Sequence, residues 1–133
     1  MKKYFFLFVF ALSFLSSCTS DETTTYYLIR HAEKDRTDKT NRNPNLNKKG
    51  LERAKKWATY FEKVHLDAVY STNYNRTQQT AKPTANSKSL EIISYNPRKM
   101  YDSIFKVNTE GKTVLVVGHS NTTPVFANKI LGE

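Results

Sequence analysis

One cysteine stands in 133 residues, Cys18, so an intramolecular disulfide is excluded. The longest apolar run, Tyr4 to Leu15, falls short of the roughly 20 residues a helix needs to cross a bilayer, which argues against a transmembrane anchor. Only four glycines are present, and nothing resembles a Walker-type phosphate loop or a Gly-x-Ser-x-Gly elbow. The three histidines lack zinc-ligand spacing, so neither a metal nor another cofactor is expected. No internal repeat or low-complexity block appears. Acidic residues are outnumbered, 12 against 21 basic ones, for a formal charge of +9. The basic residues are dispersed and form no aromatic-interleaved stripe, so nucleic-acid binding has little support. A basic surface would attract anionic substrates and anionic lipid alike, or be simply a solvated face.

What is present begins with an export signal layout. Lys2 and Lys3 precede the apolar run, and Leu15-Ser16-Ser17-Cys18 follows it. That tetrapeptide resembles a bacterial lipobox, in which the chain is cut before the cysteine and the thiol is acylated. The expected organisation is a signal peptide over 1–17, an acylated Cys18 with a polar tether to Thr24, and one domain over 25–133. Loss of Lys2 and Lys3 would take the charge to +7. The expected location is a membrane surface in the bacterial periplasm or outside the cell, held by lipid on Cys18.

Thr25 to Arg30 is β-branched and aromatic on both faces, as in a buried parallel strand. Ala32 to Asn45, charged and Asn/Thr-rich, reads as a long loop, and loops of that length are often functional. Leu51, Ala54, Trp57, Ala58 and Phe61 recur at helical steps and predict a helix over Asn47–Val64. A short strand is predicted at Asp67–Ser71, and a helix over Asn73–Ala81 stopped by Pro83. Leu90–Tyr95 reads as a third strand, Lys99–Val107 as a helix, and Thr113–Val117 as the clearest strand of all. Thr123–Leu131 reads as a helix with Pro124 in its first turn and Gly132 as its cap. Alternating strands and helices predict an α/β fold, three-layered, with a mostly parallel sheet and helices on both faces. The chain stops one residue past the last cap without a final strand, the pattern expected of a C-terminal truncation.

In an open parallel sheet, ligands bind beyond the carboxyl ends of the strands. Arg30-His31, Ser71 to Arg76 and Gly118-His119 each follow a predicted strand, and all three emerge at one edge. Arginine presents a donor fork that matches phosphate, and a neutral imidazole is a nucleophile near pH 7. A second histidine, if protonated, would add a charged donor. Either histidine alone reads as an ordinary structural residue; both, with Arg30 and Arg76, read as a phosphate-processing site. His65, at a helix end, reads as a surface or capping residue.

These residues also carry a family resemblance. Arg30-His31-Ala32-Glu33, Leu46-Asn47-Lys48-Lys49-Gly50, Val69-Tyr70-Ser71-Thr72 with Arg76-Thr77 and Gln79-Thr80-Ala81, and Gly118-His119-Ser120 resemble the ordered motifs of the histidine phosphatase superfamily, the phosphoglycerate-mutase-like group. The resemblance implies a metal-independent phosphoric monoester hydrolase of the histidine acid phosphatase type, acting on a small phosphorylated substrate. His31 would become phosphohistidine, and Arg30, Arg76 and His119 would form the phosphate pocket. Glu33 and Gly118 would support it, Asn47 and Gly50 would shape the helix start, and Ser71 would orient it. Family members commonly carry an acid after the third strand to protonate the leaving oxygen. Asn96 cannot serve, so Asp102, expected within a helix, is the candidate donor, or else a solvated carboxylate. A missing acid would favour easily departing groups such as phosphoramidates. A phosphomutase and a non-catalytic phosphate-binding lipoprotein are the alternatives.

Overall fold

Val114, Leu115, Val116 and Val117 are buried on both sides of their strand, and this places that strand inside the sheet. A computed structural model describes residues 22–133; the expected signal segment, Cys18 and the first half of the tether lie outside the described residues. The elements run β1 (Thr25–Arg30), α1 (Lys48–Tyr60), β2 (Ala68–Ser71), α2 (Asn75–Ser87), β3 (Ile92–Ser94), α3 (Ser103–Thr109), β4 (Thr113–Gly118) and α4 (Thr123–Leu131). The four strands form one parallel sheet in the order β1-β4-β2-β3.

Strand alternation divides the core into two layers. Ile29, Val69, Leu115 and Val117 pack with Phe61, Ala81 and Ala85 beneath α1 and α2. Tyr70, Val114 and Val116 pack with Phe105 and Phe126 beneath α3 and α4. The second layer is richer in aromatics: Phe105 lies within 4.7 Å of the Tyr70 ring centre and 5.2 Å of Phe126. Each such ring contributes about 1.5–3 kcal/mol when fully buried. The fold is therefore three-layer α/β, as expected.

Several boundaries differ from expectation for identifiable reasons. The second helix does not stop before Pro83 but continues through it to Ser87. Proline removes one helical hydrogen bond at a cost of about 3 kcal/mol, yet Thr80, Ala81, Thr84 and Ala85 bury a continuous face on both sides of it. Helix α1 ends at Tyr60, and Phe61 to Val64 form a turn. Helix α3 begins at Ser103 rather than Lys99, because Tyr101 adopts a positive φ of 55°, which no helix accommodates. Asp102 is accordingly the N-cap of α3 and not an interior residue: its Oδ1 accepts from the Phe105 N–H at 2.9 Å. Strand β3 is also shorter than expected, three residues on a sheet edge. No helix among the described residues is long and apolar enough to cross a membrane.

Candidate active site

The register sets the site. Arg30 lies opposite Gly118, Ser71 opposite Val117 and Ser94, so the strands end at nearly one level. The His31 N–H donates to the Gly118 carbonyl at 2.9 Å, and the Tyr95 N–H to the Ser71 carbonyl at 3.1 Å. The residues following β1, β4, β2 and β3 therefore leave together at the carboxyl edge. Gly118 lacks a side chain for a reason: a Cβ there would come within 2.9 Å of the Tyr95 hydroxyl and 3.0 Å of Thr123 Oγ1.

His31 and His119 face each other across this edge, with ring centres 5.5 Å apart. Nδ1 of His31 lies 2.7 Å from the Ala32 carbonyl. A carbonyl can only accept, so Nδ1 carries the hydrogen and the Nε2 lone pair is left free. Burial lowers the His31 pKa, and the charges of Arg76, Arg30 and Lys34 add to that, partly opposed by the Ala32 hydrogen bond. The ring is thus neutral at pH 7, with a free Nε2 lone pair.

The tautomer of His119 follows from a chain of hydroxyls. Thr77 Oγ1 has carbonyl acceptors at Thr72 and Tyr74, at 2.9 and 3.0 Å. Its hydrogen goes to one of them, so it accepts from Thr72 Oγ1 at 2.9 Å. Thr72 Oγ1, its own hydrogen spent, then accepts from His119 Nε2 at 2.8 Å. Burial, followed by the Arg76 charge, lowers the His119 pKa to about 4. The expected charged donor is therefore a neutral imidazole at pH 7, fixed in direction by Thr72, until an anion shares the site.

Arg76 enters from the first turn of α2, stacked on Tyr74 with its guanidinium carbon 4.6 Å from the ring centre. Its Nε and Nη1 are buried and have no partner among the described residues. Leaving buried donors unmade costs about 1–3 kcal/mol each, and more for charged groups. Burial also lowers the Arg76 pKa, although a guanidinium stays charged. The arrangement suits an anion that supplies oxygen acceptors.

Arg30 lines a cavity of about 430 Å³ with His31, Lys34, Arg36 and Asn47. Glu33 is bound in bidentate fashion by Arg53, with Nε 2.9 Å from both carboxylate oxygens. Those hydrogen bonds hold its carboxyl down at about 2, so it stays anionic and is no proton donor near neutrality. Asn47 caps α1, its Oδ1 accepting from the Gly50 N–H at 2.8 Å, and a Cβ on Gly50 would collide with the Glu33 carbonyl. The helix start is thereby pressed against the segment carrying His31. Ser71 turns its hydroxyl onto the Thr72 carbonyl at 2.9 Å, and it is Thr72 that meets His119. His65 is exposed and pairs with Asp67 at 2.8 Å. Asp102 lines a different cavity, with Tyr70, Ile93 and Phe105, and is not brought to the histidines.

Sequence reasoning assigned no role to Thr72, Tyr74, Gln79 or Thr80. Thr80 Oγ1 donates to the Arg76 carbonyl at 2.7 Å and accepts from the Ala32 N–H at 2.9 Å, which couples the two halves of the site. Gln79 Oε1 accepts from the Leu46 N–H at 2.7 Å. The signal was a run of hydroxyl and carboxamide residues on the apolar-facing side of a predicted helix, where buried polar groups need partners. Among the described residues no three His, Cys, Asp or Glu gather where a metal ion could be held.

An α/β sheet edge carrying two opposed histidines and an arginine with two buried, unpartnered donors defines a phosphate-handling class of site. The sequence pattern of the histidine phosphatase superfamily (branch 1) matches residues 26–96, about half of the chain, and the protein belongs to that superfamily. Phosphoserine phosphatase 1 of Hydrogenobacter thermophilus is 37% identical over 71 residues, which span 50% of this chain and 33% of that relative. The chain thus spans about a third of the length of this curated relative. Among solved structures, the Entamoeba histolytica phosphoserine phosphatase in complex with 3-phosphoglyceric acid shares the fold with a TM-score of 0.65 at 18% identity, covering 83% of this chain and 81% of that one. A mycobacterial glucosyl-3-phosphoglycerate phosphatase does so with a TM-score of 0.67 at 10% identity, covering 84% and 82%. The protein histidine phosphatase SixA complexed with tungstate does so with a TM-score of 0.65 at 16% identity, covering 77% and 74%.

Proposed function

We propose that the protein is a metal-independent phosphatase that hydrolyses phosphomonoesters or phosphoramidates through phosphohistidine at His31. The observation carrying this reading is the pair of buried Arg76 donors without protein acceptors, beside a histidine whose Nε2 lone pair is free. In the first step Nε2 attacks phosphorus, the P–N bond forms, and the bond to the leaving atom breaks with its electron pair. Arg76, Arg30 and His119 would hold the equatorial oxygens as charge shifts among them. In the second step water attacks phosphorus, the P–N bond breaks, and the electron pair returns to Nε2 as a proton passes to solvent. The Nδ1–H···O=C bond to Ala32 keeps the ring oriented through both.

No carboxylic acid lines the cavity that holds Arg76 and His119, and the two that line the cavity of His31, Glu33 and Asp35, are held ionised by hydrogen bonds from Arg53 and Thr37. This supports a preference for leaving groups that need little protonation, such as phosphoramidates and aryl phosphates. Asp102, capping α3, is retained as a candidate donor only through its test below. Export and acylation at Cys18 belong to the same proposal: the full chain should fractionate with membranes, and Cys18→Ala should release it.

The test is hydrolysis of para-nitrophenyl phosphate with and without EDTA, beside His31→Ala. EDTA-resistant turnover that falls about a thousandfold or more in the variant supports the reading. Phosphate binding without turnover in folded wild-type protein would favour the non-catalytic binder.

A further inference from the structure

Helix α1 turns a basic face outward. Gly50, Ala54 and Trp57 face the core. Lys48, Lys55 and Lys56 recur on the opposite side at steps of seven and eight residues, all exposed. Lys49 flanks them, and Glu52 is the one carboxylate of the helix. The salt bridges among the described residues are Arg53–Glu33 and His65–Asp67, so these lysines have no carboxylate partner there. Lys48 and Lys49 occupy the first turn with no acidic residue beside them, where the helix dipole disfavours cations. Local stability therefore does not account for the charge. Tyr60, in the last turn, is 63% exposed, and its ring meets Trp57 edge-on with centres 5.5 Å apart. A tyrosine so placed has an apolar body and a polar tip, the combination that suits a lipid headgroup layer.

The polypeptide enters the domain at the same end of α1. Tyr27 of β1 stands edge-on to Phe61, the C-cap of α1, with ring centres 5.2 Å apart. Just before β1, Thr24 Oγ1 accepts from the Gly111 N–H at 2.9 Å. Cys18 precedes Thr25 by seven residues, at most about 25 Å of extended chain. An acyl group on Cys18 would therefore hold a bilayer within reach of α1, itself about 20 Å long.

We propose that the outer face of α1 is a membrane-docking surface, on which Lys48, Lys55 and Lys56 bind the anionic phosphates of bilayer lipids. The lysines lie along a helix rather than around a pocket, which fits an extended charged surface better than a soluble anion. The inference rests on the acylation reading only for what brings the bilayer near; the lysine face acts without it. One acyl chain alone binds reversibly, and each lysine at an anionic surface adds about fivefold to partition. With α1 lying on the bilayer, the His31 cavity would open alongside the membrane, since Asn47 both caps α1 and lines that cavity.

The test measures partition of the full chain onto vesicles of phosphatidylglycerol and phosphatidylcholine in equal amounts, against phosphatidylcholine alone. The amino-terminal segment is common to every variant compared, so changes in the ratio of the two partition coefficients report headgroup charge at the substituted face. Lys55→Gln with Lys56→Gln should cut the wild-type ratio about 10- to 25-fold at low salt, and glutamine preserves helix propensity. Lys106→Gln with Lys129→Gln removes equal charge from α3 and α4, across the sheet, and should keep the ratio within about threefold. A wild-type ratio near one, or equal losses in the two double variants, would overturn the proposal. Duplex DNA binding that requires Lys55 and Lys56, beside a vesicle ratio near one, would assign the face to nucleic acid instead. Cys18→Ala should lower partition onto both vesicles and leave the ratio intact. Equal partition with and without that substitution refutes acylation alone; a ratio indifferent to Lys55 and Lys56 refutes this inference alone.

Discussion

The β2–α2 and β3–α3 connections leave the same end of the sheet and are built in opposite ways. In the first, Thr72 and, in the helix it leads into, Thr77 and Thr80 are completely buried, and their hydroxyls bond to backbone, to one another and to His119. In the second, Asn96, Arg98 and Lys99 are exposed, and the hydrogen bonds are short-range turns and caps. Buried hydroxyl networks fix geometry, because each broken bond leaves an unsatisfied group. Exposed turns carry no such penalty and can change side chains freely. The first connection accordingly leads into Arg76 and, through Thr72, fixes the direction of His119, while the second leaves its polar side chains to solvent.

The comparison fails first if Arg76 behaves like a specificity residue. Arg76→Met should lower kcat/KM about 10²- to 10³-fold for every phosphate ester tried. A loss confined to some esters and absent for others would merge the two connections into one function.

Acid provides the next test. His119 titrates near 6.5 in an unfolded chain, but burial and the Arg76 charge lower it to about 4 in the fold. Between those values the unfolded chain binds more protons, so stability present above pH 6.5 declines as the pH falls towards 4. The loss amounts to at most about 3 kcal/mol, with lowered His31 acting in the same direction. Urea titrations at pH 7 and pH 4.5 should show this drop, and His119→Gln should reduce it. A pH difference unaltered by the substitution would remove His119 as its source.

A smaller effect is expected at Thr72. Thr72→Val keeps the shape but leaves the His119 donor unpaired, and should cost about 1–3 kcal/mol in urea unfolding together with a lower kcat. Asn96→Ala, in the exposed connection, should cost less than Thr72→Val. Equal costs would erase the contrast between the two connections.

The mildest test concerns Asp102. Asp102→Ala should cost about 1 kcal/mol through the lost cap, and Asp102→Asn only a few tenths, since asparagine caps as well. Hydrolysis of an alkyl phosphate should be unchanged in Asp102→Asn. Selective loss of alkyl phosphates, with aryl phosphates spared, would restore Asp102 as the proton donor.

The sequence was most readable where one physical signal dominated. The unbroken apolar run at Val114–Val117 and the helical spacing from Leu51 to Phe61 located β4 and α1 directly, and the strand ends then brought His31, Arg76 and His119 to one edge. It was least readable where local and tertiary preferences conflicted. Pro83 is a helix breaker by local rules, but the buried face of Thr80, Ala81, Thr84 and Ala85 overrides it. Tyr101 took a left-handed backbone that no pattern announces, and this delayed α3 until Asp102 could cap it. Thr72 was hidden for another reason: two adjacent hydroxyl residues end β2, and only the three-dimensional path shows which one reaches His119.

The segment from Ala32 to Asn45 looks like a long loop but is fastened near both ends. Lys34 and Leu46 form an antiparallel bridge, the Asp35 N–H donates to the Asn45 carbonyl at 2.8 Å, and Asn75 grips Asn43. Pro44 is buried behind that clamp, whereas Arg36 to Arg42 are all exposed. The clamp separates Asp38 to Arg42 from the histidines, while Arg36 and Thr37 still line the cavity of His31. Trypsin should nick the tip at Arg36, Lys39 or Arg42 and leave two pieces that travel as one particle through gel filtration. For the same reason Asp38 to Arg42 is the place where the polypeptide can be lengthened, or carry a grafted peptide, without the change being felt at the histidines.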